Sequence, residues 1–296
     1  MTINWQGIFP AITTPFTADG AVDHDFLAEH SRWMIAAGCT GIIPLGSLGE
    51  GATLTFAEKR AVLETVVGAV SVPVVAGIAA LSTDDAVALA RMAEAAGCRG
   101  LMVLPPYVYS TDEREMQAHV SAVIAATRLP CMLYNNPPAY RTDYTPPQIV
   151  QLAERHANLA AVKESSGDVR RITALRALAG DRLAIAIGVD DLVVEAVSAG
   201  AVAWVAGLVN AFPRESVALF DLARKGDERA AAIYRWMLPL LRMDTVPKFV
   251  QLIKLCQERV NMGSARVRAP RLPLEGAELA EAEVTIRAAL ERRVAV

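Results

Sequence analysis

The stretch Leu159-Ala160-Ala161-Val162-Lys163 is four apolar residues in a row that close on a charge. A strand with one wet face alternates apolar and polar side chains. An uninterrupted apolar run instead fits a parallel strand buried on both faces. On either side lie amphipathic segments, 147–156 and 169–178, and beyond them further apolar runs at 130–135 and 183–188. Continued outward, the pattern gives eight runs: 7–15, 41–46, 72–78, 100–105, 130–135, 159–163, 183–188 and 202–209. They recur roughly every 20–35 residues, the length of one strand-plus-helix unit. Eight such units in sequence predict an α/β fold of the (β/α)8 TIM-barrel type.

The intervening segments carry helix punctuation. Segment 26–37 stops at Gly38, 84–96 at Gly97 and 191–199 at Gly200, while Thr55-Phe56-Ala57-Glu58 has the form of a capping box opening a helix to residue 67. Segment 112–127 fills another gap. A doubly wound open sheet would place a Gly-x-Gly-x-x-Gly turn after its first strand, whereas the first run here leads into Thr13-Thr14-Pro15-Phe16. After Phe212 the alternation ends. Segments 215–224, 227–241 and 246–260 read as consecutive helices, 266–273 as a loop and 277–292 as a last helix. The expected organisation is a barrel over residues 1–224 and a C-terminal helical extension, 225–296, packed on it.

Composition excludes several function classes. The 296 residues carry 29 Lys+Arg against 32 Asp+Glu, a net charge of −3, with no basic run of the kind a nucleic-acid binder displays. With 53% hydrophobic residues and ordinary Gly and Pro content, disorder is excluded. Cys39, Cys98, Cys131 and Cys256 form no Cys-x-x-Cys pair and share no ligand-like spacing with the four histidines, so no structural metal site is expected. The stretch Met1-Thr2-Ile3-Asn4-Trp5-Gln6-Gly7 lacks the form of a secretory leader, and the longest apolar stretch, 66–81, is broken by Gly68, Ser71, Pro73 and Gly77. No membrane association is expected, and the default location is the cytoplasm.

In a (β/α)8 barrel the reactive residues lie at the C-terminal ends of the strands. Of five lysines (Lys59, Lys163, Lys225, Lys248, Lys254), only Lys163 ends an apolar run. Burial there favours the neutral amine, which is what a Schiff-base nucleophile needs. The alternative is a rim salt bridge to Glu164 or Asp168. Tyr134 ends the fifth run and is placed either to move protons at an imine carbon or simply to pack at the rim. After the second run, Gly46-Ser47-Leu48-Gly49-Glu50 forms a turn whose N–H groups could grip an anion such as a carboxylate, or a plain connection. The seventh run ends in Gly188-Val189-Asp190-Asp191, whose two acids disfavour a phosphorylated substrate.

Taken together, the Gly46–Glu50 turn, Tyr134-Asn135-x-Pro137, Val162-Lys163-Glu164-Ser165 and Gly188-x-Asp190 resemble the dihydrodipicolinate synthase / N-acetylneuraminate lyase family of class I Schiff-base enzymes, along nearly the whole chain. The resemblance implies that Lys163 forms the Schiff base with a 2-oxo acid, that Tyr134 relays protons, and that Ser47 with the Leu48 backbone holds the substrate carboxylate. Gly188 and the Val205 carbonyl would line the imine pocket. It further implies a homotetramer that works without a cofactor or metal on a small 2-oxo acid or its cyclic imine.

Three positions depart from the synthase pattern Gly-Thr-Thr-Gly-Glu and its partner residues. Leu48 replaces the second hydroxyl, Val108 stands where the synthase relay tyrosine falls, and Ala139 stands where the synthase has an arginine for its second substrate, with Arg141 two residues further on. Four other segments look more like the hydroxyproline-catabolic branch: 133–140, 163–168, 207–213 and 246–251. The activity of that branch is 1-pyrroline-4-hydroxy-2-carboxylate deaminase. The expected function is therefore a deaminase giving 2-oxoglutarate semialdehyde. The alternatives are 4-hydroxy-tetrahydrodipicolinate synthase, a 2-oxo-3-deoxy sugar acid aldolase or dehydratase, and a non-catalytic oxo-acid sensor.

Overall fold

Seven of the eight apolar runs form strands in the computed structural model, which describes residues 3–108 and 112–296. Met1 and Thr2, part of the stretch read for a leader, lie outside those residues. The strands are β1 (Gly7–Pro10), β2 (Val75–Ile78), β3 (Gly100–Val103), β4 (Cys131–Asn135), β5 (Leu159–Glu164), β6 (Ala184–Ile187) and β7 (Ala203–Ala206). All pairings are parallel, in the order β1-β7-β6-β5-β4-β3-β2. Continuous burial along β2, β3, β4 and β7 accounts for their unbroken apolar character.

The second run, 41–46, departs from the expectation of an eighth regular strand. It bridges β1 and β2 through the isolated parallel pairs Ala11↔Ile43 and Ile42↔Val74. Its hydrogen bonds nevertheless close the ring, with Ile43 N donating to Pro10 O at 2.8 Å, Val75 N to Ile42 O at 2.9 Å and Gly77 N to Pro44 O at 2.9 Å. Pro44 has no N–H to offer a ladder, and Leu45 turns the chain with φ 65°. The two backbones press together here: a Cβ on Gly77 would lie 2.9 Å from Gly46 N.

Helices fill the gaps: α1 (His24–Ala36), α2 (Phe56–Ala69), α3 (Thr83–Ala95), α4 (Glu113–Ala125), the one-turn α5 (Pro137–Tyr140), α6 (Pro146–Arg155), α7 (Arg170–Ala179), α8 (Val193–Ser198) and α9 (Pro213–Lys225). The capping box at Thr55 and Glu58 is present, and Gly38, Gly97 and Gly200 lie at positive φ just beyond their helices. The tail continues through α10 (Arg229–Leu241), a 3-10 turn (Arg242–Thr245), α11 (Phe249–Arg259) and α12 (Gly276–Glu291).

This helical extension is pinned to the barrel by polar as well as apolar contacts. The Trp236 ring meets Phe212 of the barrel edge-on, while its indole N–H donates to Ala289 O at 2.8 Å within the extension. Thr13 Oγ1 donates to Gln257 Oε1 at 2.8 Å, and Lys254 Nζ pairs with Glu50 Oε1 at 2.6 Å. The last contact ties α11 to the turn at the barrel mouth. Among the described residues, no helix is long and apolar enough to cross a membrane.

Candidate active site

Parallel pairing sets Tyr134 of β4 opposite Lys163 of β5, and Lys163 opposite Ala186 of β6. The Lys163 side chain is 6% exposed, and its Nζ lies 4.1 Å from the centroid of the Tyr134 ring. Neither neighbour considered as a salt-bridge partner takes it. Glu164 points the other way, accepting from Ser166 N at 2.6 Å and Asn135 Nδ2 at 3.2 Å, as adjacent strand residues must. Asp168 is engaged by Arg170. Among the described residues Lys163 makes no ion pair. Burial lowers its pKa to about 8, against the opposing pull of Asp244 and Asp190.

Gly188 makes room for this side chain. A Cβ at that position would lie 2.2 Å from both Lys163 Cε and Ser165 Oγ, so any other residue would displace the amine's stem. Val205 is buried in β7, one step beyond the pair Ile187↔Trp204, and therefore flanks Gly188.

On the opposite side of Lys163 a series of hydroxyls leads to the turn after the second run. The Tyr134 phenol accepts from Asn136 Nδ2 at 2.8 Å, and burial pushes its pKa up to about 12, so it remains protonated at neutral pH. The Tyr140 ring meets Tyr134 edge-on at 5.7 Å, and the Tyr140 hydroxyl is hydrogen-bonded to Ser47 Oγ. Burial raises the Tyr140 phenol as well. Asn136 caps the one-turn helix α5 with Pro137 in its first turn, and this brings Tyr140 back over the mouth. Sequence reading did not single out Tyr140 as a site residue. Its signal was the interval to Tyr134, which only a tight helical turn makes meaningful.

The turn itself is held from below. Gly51 N donates to Gly46 O at 3.2 Å, and Thr14 Oγ1 donates to Gly49 O at 2.6 Å. Glu50 sits at φ 52° with its carboxylate buried against Lys254 and the Arg268 N–H at 3.1 Å. Among the described residues the Ser47 and Leu48 N–H groups donate to no protein acceptor. Two free N–H groups beside a hydroxyl suit a carboxylate.

Two carboxylates complete the surroundings. Asp190 is fully buried and fully used. It accepts from Trp204 Nε1 at 2.9 Å, Gly207 N at 3.1 Å and Leu208 N at 2.7 Å, yet burial still raises its pKa to about 6. Asp244, on the 3-10 turn after α10, reaches back over β7, where a Cβ on Gly207 would lie 2.0 Å from its Oδ1. Burial and the adjacent Asp190 raise its pKa well above the usual carboxylate range. Asp244 accepts no hydrogen bond among the described residues. No periodicity in the sequence signals it, because only the folding-back of the tail brings it to the barrel.

Of the synthase departures, Val108 is 55% exposed, and Ala139 and Arg141 are exposed on the rim. Arg141 has φ 64° and its N–H donates to Pro137 O at 2.9 Å, while its guanidinium makes no hydrogen bond or ion pair among the described residues.

Comparison with known proteins agrees with this geometry. Residues 4–289 match the model of the dihydrodipicolinate synthetase family. The chain is 33% identical over 269 residues to a 4-hydroxy-tetrahydrodipicolinate synthase of Agrobacterium fabrum, covering 90% of this chain and 92% of that one. It is 31% identical over 272 residues to the enzyme so named in Methanothrix thermoacetophila, covering 91% and 92%. It superposes on the 4-hydroxy-tetrahydrodipicolinate synthase structure from Methylacidiphilum fumariolicum with TM-score 0.92, at 28% identity, over 97% of this chain and 96% of that one. The chain belongs to the dihydrodipicolinate synthetase family and is an enzyme of the Schiff-base lyase class, built on a TIM barrel with a helical C-terminal extension.

Proposed function

We propose that this lyase is a deaminase that opens the cyclic imine 1-pyrroline-4-hydroxy-2-carboxylate, releasing water and ammonia and leaving 2-oxoglutarate semialdehyde. The observation that carries the reading is the hydroxyl series Tyr134, Tyr140 and Ser47, built within one chain beside Lys163. It walls one side of a mouth in which, among the described residues, the Ser47–Leu48 turn is the prepared anion grip, so the site suits one small substrate with one carboxylate. Exposed Ala139 offers no hold for a second anionic substrate.

Lys163, with a pKa near 8, holds a useful fraction of free amine at neutral pH. The amine adds to C2 of the ring imine, and the ring C2–N bond breaks to leave an open-chain iminium on Lys163. The iminium is its own electron sink, so no cofactor is called for. It acidifies C3–H, and as the enamine forms that proton is relayed along the hydroxyl series to solvent at the mouth, each hydroxyl giving up its own proton as it takes one. Because Tyr134 and Tyr140 are neutral phenols, a proton can be handed along without leaving a phenolate in the dry mouth. Ser47 Oγ and the Leu48 N–H hold the C1 carboxylate, while Gly188 and Val205 shape the pocket around the imine. Loss of the C4 hydroxyl and hydrolysis of the remaining imine and enamine complete the reaction. A homotetramer and a cytoplasmic setting belong to the same reading.

The names of the relatives favour a second reading, 4-hydroxy-tetrahydrodipicolinate synthase, which would use Lys163 on pyruvate. Borohydride trapping followed by mass spectrometry separates the two, with the pyrroline, pyruvate and a 2-oxo-3-deoxy sugar acid offered in turn. An adduct on Lys163 with ammonia released only from the pyrroline is the expected result. Pyruvate trapping with no ammonia from the pyrroline returns the synthase to first place. Turnover of the sugar acid alone would make the protein an aldolase or dehydratase. Reversible binding without turnover of any of the three would make it a sensor.

A further inference from the structure

Eliminating water from the enamine needs a second acid. The tyrosines and Ser47 lie on the Tyr134 side of Lys163 and receive the C3 proton, while hydroxide is a poor leaving group at neutral pH. Asp190 is unsuitable, because its carboxylate already accepts from the Trp204 indole and the Gly207 and Leu208 N–H groups. Asp244 differs on each count. Its oxygens have no donor among the described residues, and Gly207, the residue just beyond β7, lacks the Cβ that would push Oδ1 out of the barrel mouth. Asp244 also comes from the tail, outside the elements that carry the hydroxyl series.

We propose that Asp244 is the proton donor to the departing C4 hydroxyl, which makes it the residue that turns Schiff-base chemistry into dehydration. The proposal rests on the deaminase reading. The enamine electron pair forms the C3–C4 double bond as the C4–O bond breaks, and the oxygen leaves with that bonding pair. The Asp244 carboxyl supplies the proton that makes it water, and the nitrogen on Lys163 becomes an iminium again. The carboxylate left behind is then the base for a C5 proton, whose removal gives a dienamine. Returning that proton to C4 turns the C5–N bond into the imine that is hydrolysed to ammonia, and C3 regains its proton before the product leaves Lys163. Burial and the neighbouring Asp190 raise the Asp244 carboxyl well above the usual carboxylate range, which favours its acid form.

The test compares Asp244→Asn with the unaltered enzyme on two substrates, the 4-hydroxy pyrroline and its 4-fluoro analogue. Fluoride departs without taking up a proton, so it has no need of the acid. The substitution should slow ammonia release from the hydroxy substrate by about 10²–10⁴-fold, the usual contribution of a positioned acid. Fluoride release should stay within about threefold of the unaltered enzyme, and the borohydride-trapped adduct on Lys163 should persist. Should Asp244→Asn not fold, Asp244→Glu, which keeps an acid, should retain most of the hydroxy turnover while Asp244→Ala loses it. Equal slowing on both substrates, or loss of the adduct, would place Asp244 among the groups that position Lys163 and overturn the proposal. So would no slowing on either. If the unaltered enzyme releases no ammonia from the hydroxy pyrroline, the deaminase reading fails first and this proposal with it.

Discussion

The chain buries two lysines, and their surroundings differ in kind. Lys254, 1% exposed, is saturated: its Nζ donates to Glu50 at 2.6 Å and to Arg266 O at 2.7 Å, and lies 4.4 Å from the Phe16 ring centroid. Lys163, 6% exposed, has a ring face and carboxylates that never reach contact. Burial lowers both amines, but only Lys254 has a carboxylate in contact to hold its proton. A buried ammonium costs several kcal/mol unless it is paired and hydrogen-bonded. The first lysine meets that condition and joins two parts of the fold. The second lies where the condition is left unmet, and a lowered pKa is the result.

The contrast breaks most visibly if each lysine is removed. Lys163→Met should abolish ammonia release, by about 10⁴-fold or more, while the circular dichroism spectrum stays unchanged. The same variant should be more stable near neutral pH, by on the order of 2 kcal/mol in urea unfolding. The sign follows from the folded pKa near 8 lying below the ordinary 10.5. Below pH 8 both states are protonated and the native state bears the full cost of the buried charge. The variant's advantage should therefore shrink as the pH rises through 8 and vanish toward 10.5. Lys254→Met should do the opposite and destabilise by up to about 3–5 kcal/mol, because buried Glu50 loses its contact cation and keeps only Arg271 at 3.7 Å. Denaturant midpoints of the two variants against the unaltered chain check both signs; a loss of stability in Lys163→Met would show that the two sites are alike.

A smaller effect sharpens the comparison on the Lys163 side. Tyr140→Phe should lower kcat by about tenfold to a hundredfold, since it breaks the hydroxyl series between Tyr134 and Ser47. It should change stability by no more than about 1 kcal/mol, the worth of one hydrogen bond. The borohydride adduct on Lys163 should still form. Loss of the adduct in Tyr140→Phe would mean that Tyr140 governs amine addition rather than proton movement.

What the sequence made legible follows from how each feature is encoded. The ring of strands and the place of Lys163 rest on continuous apolar runs and the residue that ends them, which are local signals. The run at 41–46 carries the same apolar signal, yet Pro44 and the positive φ of Leu45 turn it into a pair of bridges. Tyr140 was visible as a residue but not as a site residue, because its place depends on Asn136 capping a single turn. Asp244 was not legible at all. It belongs to the helical tail, and what lets it in is the missing Cβ of Gly207 rather than any property of its own segment.

The link between Glu50 and Lys254 spans 204 positions along the chain and also bears on the order of synthesis. On the ribosome, Lys163 and the turn at Ser47 emerge well before α11. Until that helix docks, Glu50 has no cation beneath it and the carboxylate grip lacks its brace. A nascent barrel therefore carries its reactive amine for some time without a finished seat for substrate. The enzyme becomes competent only when the last quarter of the chain has closed over the first.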